Sequence, residues 1–208
     1  MSGARRLPLT ELSPYLLSAP PAGQVVAWTD VFSNHHPTEI EVGFGKGLFL
    51  LESAIAHSET NFLGIEISRK YQLFTATRIA KRNLVNVRLA KADARSFLSE
   101  HVGSGSIAAI HSYFPDPWWK KRHLKRRLFT PEFVRQCERV LCHGGSLFVA
   151  TDVQEYFDVI WQLVHSYTML GPALDSPDSQ FDREGRTNFE RKFRLQNRPI
   201  LRRAFCKN

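Results

Sequence analysis

Apolar residues come along this chain in short blocks, and two periodicities alternate. Five blocks have strand length and are rich in β-branched and aromatic residues: Thr38 to Val42 (TEIEV), Asn61 to Ile65 (NFLGI), Asn86 to Leu89, Ser106 to Tyr113 (SIAAIHSY) and Ser146 to Ala150 (SLFVA). Helical patterns separate them. LFLLESAIAH follows Gly47. A second helix is capped by Ser68 and runs to about Arg82, with Tyr71, Phe74 and Ile79 on its inner face. A short helix follows Ala92-Asp93-Ala94. Thr130 opens another, with Pro131 at its first position and Glu132 in its first turn, and Val153 to about Tyr167 forms the last. A short helix over Val25 to Ser33 carries Trp28 and Phe32 on one face, and Pro199 to Phe205 reads as a final extended segment. Strands alternating with helices at this spacing predict an α/β fold: a mostly parallel, Rossmann-like sheet with helices on both faces.

The length of 208 residues suits a single core. Residues 1–24 show little periodicity and collect prolines and glycines, which predicts an extended N-terminal arm before one domain over residues 25–208. No apolar run reaches membrane-spanning length, and no hydrophobic block of a signal peptide opens the chain. Cys137, Cys142 and Cys206 are an odd number without CxxC spacing, which argues against a disulfide framework or a zinc site and for a reducing, cytoplasmic setting.

Charge changes the picture more than composition does. The formal net charge is +8, and the excess is concentrated. Lys120, Lys121, Arg122, Lys125, Arg126 and Arg127 fall in one stretch, FPDPWWKKRHLKRR, from Phe114 to Arg127. Eight more cations lie between Arg183 and Arg203 against two acids, Glu184 and Glu190. Two such clusters converging on one face would make a footprint for a polyanion. The first stretch also holds Asp116 between two prolines, which stiffen the segment, and it leaves the end of a buried strand. Open α/β sheets bind their ligands at such strand ends. A fixed carboxylate beside cations and the rings of Trp118 and Trp119 suits a nucleic-acid substrate better than a merely solvated loop.

A glycine loop, Gly43 to Gly47 (GFGKG), joins the first of the five strands to its helix. Its GxGxG spacing is shorter than the dinucleotide GxGxxG, and no Lys-Ser/Thr follows, so neither a nicotinamide site nor a P-loop fits. Glu41 just before the loop favours a cationic or zwitterionic ligand. Glu66 and Asp93 end the next two strands, where ribose hydroxyls and an adenine amine would be read. S-adenosylmethionine matches that set, with Gly43, Gly45 and Gly47 approaching its methionine part and Asp116 and Asp152 at further strand ends.

These blocks resemble the bacterial tRNA (guanine-N7-)-methyltransferases, which make 7-methylguanosine at position 46 of the tRNA variable loop. EVGFGKG, GIEIS, NVRLAKADA, FPDPWWKKRHLKRR, GGSLFVATD and TNFERKF match that family in order, over roughly residues 25–205. The resemblance implies a class I, S-adenosylmethionine-dependent enzyme. It implies that Glu41, Glu66, Asp93 and Asp116 contact the donor. Lys120, Asp152 and Thr187, Asn188, Phe189 and Glu190 would contact the target guanosine, and His123 and Arg126 would serve activity or tRNA binding. Asp116 is the expected catalytic carboxylate, no metal is expected, and the assembly is expected to be a monomer or homodimer. Two other readings compete: a noncatalytic RNA-binding subunit of the same fold, and a methyltransferase acting on another RNA. Intact donor-site residues favour catalysis, and the basic loop disfavours a small substrate.

Overall fold

A computed structural model describes residues 7–173 and 199–208. Eight strands form one sheet: β1 Leu16–Leu17, β2 Thr38–Val42, β3 Asn61–Glu66, β4 Val87–Lys91, β5 Ile107–Tyr113, β6 Leu141–Thr151, β7 Gly171–Pro172 and β8 Leu201–Cys206. Their spatial order is β1-β4-β3-β2-β5-β6-β8-β7. β1 to β6 pair in parallel, while β8 runs antiparallel to β6, and β7 antiparallel to β8. The helices are α1 Leu9–Leu12, α2 Trp28–Phe32, α3 Leu48–Ala56, α4 Arg69–Ala80, α5 Ala94–His101, α6 Pro131–Val140 and α7 Gln154–Tyr167. Among the described residues, no helix is long and apolar enough to cross a membrane.

Two apolar layers hold the sheet. Phe49 and Leu50 of α3, Leu73, Ala76 and Ile79 of α4 and Leu12 of α1 form one; Phe97 and Leu98 of α5, with Phe133, Val134, Ile160 and Val164 of α6 and α7, belong to the other. The predicted caps form: the Ser68 hydroxyl accepts from the Tyr71 N–H and the Thr130 hydroxyl from the Phe133 N–H, with Pro131 at the first helical position.

Three features differ from the sequence reading. Residues 7–17, read as part of an extended arm, form α1, a 3₁₀ turn over Ser13–Tyr15 and the edge strand β1, because Leu12 is fully buried and Leu16 and Leu17 pair with Leu89 and Ala90. The strand expected from Ser146 begins at Leu141 and carries a register irregularity against β5. Tyr71 and Phe74 do not lie on the inner face of α4. They are 39% and 42% exposed, and the buried face is Gln72, Leu73, Thr75, Ala76, Thr77 and Ile79. A buried glutamine and threonines are tolerated because Gln72 Nε2 donates to the Leu89 carbonyl at 2.8 Å and Thr77 to the Leu73 carbonyl at 2.8 Å.

Candidate functional site

The strand order reverses between the parallel neighbours β2 and β5, since β3 and β4 lie to one side of β2, while β5 and β6 lie to the other. At such a switch point the loops leaving neighbouring strands part and open a crevice. A cavity of about 1010 Å³ lies there. Its walls come from the residues after β2 (Gly43, Phe44, Gly45, Lys46), β3 (Ile67, Tyr71), β4 (Asp93, Arg95) and β5 (Phe114, Asp116, Trp118), with Glu41 and Glu66 at the strand ends themselves.

The glycine loop has the freedom its spacing predicts. Gly43, Gly45 and Gly47 all take positive φ (74°, 50° and 64°), a region that side chains disfavour. A Cβ at Gly43 or Gly45 would project into open space, so backbone lines the cavity at both. Gly47 is not on the wall. It begins α3, where a Cβ would stand 2.2 Å from Thr75 Cγ2, so it serves the close approach of α4.

Glu66, nearly buried, braces this loop. One carboxylate oxygen accepts from the Gly45 N–H at 3.1 Å and the other from the Ser68 N–H at 2.9 Å. Each oxygen keeps a further lone pair for a ligand. Asp93 caps α5 and is gripped by Arg95, whose Nε donates to one oxygen at 3.1 Å and Nη2 to the other at 2.7 Å. The Arg95 hydrogen bond holds the Asp93 carboxyl below its ordinary value of 3.8, against the opposing effect of burial. A lowered carboxylate pKa stabilises the fold above the unfolded value, and this contribution disappears as pH falls through the folded one. Since both side chains are 36% exposed, screening limits the pair to about 0.5 kcal/mol. Arg95→Met should therefore lower the urea midpoint at neutral pH, and the gap from the parent protein should close as pH drops below 3.8. A gap that persists in acid would mean the loss is one of packing.

The loop after β5 carries two non-glycine residues of positive φ. Phe114 (φ 53°) and Trp118 (φ 42°) both sit in the left-handed region, on either side of Pro115-Asp116-Pro117. The Phe114 N–H donates to the Ala150 carbonyl at 2.7 Å, and Arg127 Nε donates to the Pro117 carbonyl at 2.7 Å. Asp116 is thus presented at the cavity by a segment clamped at both ends. Behind the same wall, His111 bridges Tyr113 and Glu39 at 2.8 and 2.9 Å.

The basic stretch then turns through a 3₁₀ helix, Lys121–Arg126. Lys125 and Arg126 reach the cavity lining, whereas Lys120, His123 and Asp152 do not. Arg126 lies 5.3 Å over the Trp118 ring and Arg127 4.9 Å over Trp119, and His123 meets Trp118 edge-on at 5.3 Å. Trp118 lines the cavity; Trp119 is 47% exposed and meets Tyr156 edge-on. The structure therefore brings Glu41, Gly43, Gly45, Glu66, Asp93, Asp116 and Arg126 together. Thr187, Asn188, Phe189 and Glu190 lie outside the described residues. Sequence reasoning missed Phe44, Tyr71 and Arg95 as wall residues. Arg95 carried a signal, the Asp-Ala-Arg spacing that lets a guanidinium fold back onto its capping carboxylate. All three cysteines are free; Cys137 is buried and its thiol is pushed up by loss of solvation.

A family described as "Putative methyltransferase" matches residues 35–203. The chain is 38% identical over 188 residues to a tRNA (guanine-N(7)-)-methyltransferase of Rhodopirellula baltica, covering 85% of this chain and 68% of that protein. It is 37% identical over 178 residues to the protein of the same name from Alkalilimnicola ehrlichii, covering 81% and 75%. A Listeria innocua protein of that name is 36% identical over 177 residues, covering 84% and 82%. Among solved structures, an antibiotic-related methyltransferase superposes with a TM-score of 0.62 at 15% identity, covering 89% of this chain and 98% of that one. The aminoglycoside resistance methyltransferase NpmB1 superposes at 0.59 and 17% identity, covering 87% and 92%. At those identities the likeness shows the fold alone.

Proposed function

Since the chain belongs to the bacterial tRNA (guanine-N7-)-methyltransferase family and has the class I methyltransferase fold, we propose that it methylates N7 of guanosine 46 in the tRNA variable loop, with S-adenosylmethionine as donor. The observation that carries this reading is one cavity whose wall holds Gly43, Gly45, Glu66, Asp93 and Asp116 and whose basic side is Lys125 and Arg126. The cavity fits the donor. Two glycines expose backbone to it without an intervening Cβ, and its carboxylates suit a ligand with a sulfonium, an ammonium and ribose hydroxyls.

When bound, S-adenosylmethionine supplies an electrophilic methyl group. Guanine N7 has an in-plane lone pair and no proton, so no general base is required and alignment carries the rate. In this reading Glu66 binds ribose hydroxyls, and Asp93 holds the adenine side while Arg95 fixes its orientation. Asp116 orients the base and stabilises the positive charge that develops on its imidazole ring. Lys120, His123, Arg126 and Asp152 belong to the tRNA side, as do Thr187 to Glu190, with Asp152 and Glu190 on the base edge and the cations on phosphates.

A tRNA held by its phosphates must bind with steep salt dependence, because each neutralised phosphate releases condensed counterions. Lys125→Ala/Arg126→Ala should weaken tRNA binding and flatten the log–log salt slope by about 1 to 2 units. Parallel lines for the two proteins would leave the basic turn without a role. Calorimetric titration with the donor separates the enzyme from a noncatalytic RNA-binding subunit, which would show no donor binding.

A further inference from the structure

From Ile67 to Ala92 the chain holds seven cations and no carboxylate. Apart from Arg69, which turns aside to Gln72, the cations of α4 and of the turn after it share one side. At 3.6 residues per turn, Lys70, Tyr71, Phe74 and Arg78 of α4 fall within an arc of about 100°, and Ile67 just before the helix with Lys81 and Arg82 just after it extend that run at its two ends. Gln72, Leu73, Thr75, Ala76, Thr77 and Ile79 are turned to the core, so this arc lies on the solvent side. Its apolar members are unusually bare: Ile67 is 69% exposed, and the Tyr71 and Phe74 rings stand out as well. Arg78 lies 5.9 Å over the Phe74 ring and donates to the Lys46 carbonyl, joining the stripe to the glycine loop. Burial and then the neighbouring Arg82 push the Arg78 pKa down, with Glu52 acting the other way, so an anion placed here would relieve crowded positive charge.

The stripe also adjoins the site. Ile67 and Tyr71 line the cavity, as do Trp118, Lys125 and Arg126. α4 belongs to the layer with α3, whereas the 3₁₀ turn lies against α5 in the other layer, where Arg95 Nη1 donates to the Lys125 carbonyl. Cations beside aromatic rings therefore flank the cavity from both layers. Cationic side chains interleaved with exposed rings hold phosphates and stack bases.

We propose that the exposed face of α4 together with the turn that follows it, from Lys70 to Arg82, is a second RNA-contact surface. It engages tRNA on the side of the cavity away from the Lys120–Arg127 turn, so that the substrate straddles the donor site. The proposal rests on the tRNA reading above and assigns that substrate a further contact. Charge complementarity selects RNA, because the stripe holds cations and no acid.

The test is tRNA binding across several salt concentrations for the parent protein, Lys70→Ala/Arg82→Ala and Lys125→Ala/Arg126→Ala. Neither Lys70 nor Arg82 lines the cavity, so donor affinity by calorimetry should match the parent. The expected result is a slope lowered by about 1 to 2 units in each double variant, with weaker binding in both. An unchanged slope for Lys70→Ala/Arg82→Ala beside a lowered one for Lys125→Ala/Arg126→Ala overturns the α4 surface and leaves the tRNA reading standing. Unchanged slopes in both overturn the two together.

Discussion

Asp116→Asn should slow methyl transfer by about tenfold to a hundredfold at saturating donor and tRNA while the protein melts as the parent does. The substitution keeps the shape of the side chain and removes only its charge. Nothing that clamps the loop depends on that carboxylate: Pro115 and Pro117 fix their own φ, Phe114 is tied to Ala150, and Arg127 is tied to Pro117. The lost quantity is electrostatic, a fixed negative charge beside a base that becomes cationic as the methyl group arrives. Single-turnover methylation of unmodified tRNA, paired with a thermal melt, measures it. A folded variant with a near-parental rate would remove Asp116 from the centre of the site.

Glu66→Ala should act on the donor instead. The carboxylate holds Gly45 and Ser68 through their N–H groups, so its removal frees the glycine loop and, in the proposed reading, deletes the acceptor for ribose hydroxyls as well. Hydrogen bonds to a charged group are each worth about 1.5–3 kcal/mol. Donor affinity should therefore fall by roughly tenfold to a hundredfold, with a smaller effect on the rate at saturating donor. Calorimetric titration reads the first and saturation kinetics the second. Donor binding at parental strength would place Glu66 in a purely structural role.

Much of the architecture was legible because it rests on local chemistry. Ser68 and Thr130 announce their helices through hydroxyls that accept from the first turn, and the strand blocks from Thr38 to Ala150 are bounded by turn residues. That the residues after successive strands would line one cavity was legible for the same reason, since a parallel sheet brings its strand ends to one edge. What failed was α4. Tyr71 and Phe74 suggest an apolar stripe by residue type but stand exposed, while Ile79 is buried as expected; at Thr75 the inner face takes a small polar side chain because Gly47 and the Gly45 carbonyl approach it closely. Pairing was also hidden. Nothing local to Leu16 and Leu17 or to Leu201 to Cys206 states which strand they join; tertiary contacts decide it. The grip of Arg95 on Asp93 depends on a rotamer that spacing permits but does not impose.

The central claim is the site of methylation. Incubating the purified protein with unmodified tRNA and methyl-labelled S-adenosylmethionine, then mapping the modified nucleotide, tests it most directly. The account predicts one labelled 7-methylguanosine per tRNA, at position 46, and no label in a tRNA whose guanosine 46 is replaced by adenosine. Label at another nucleotide, or at an atom other than N7, would contradict it.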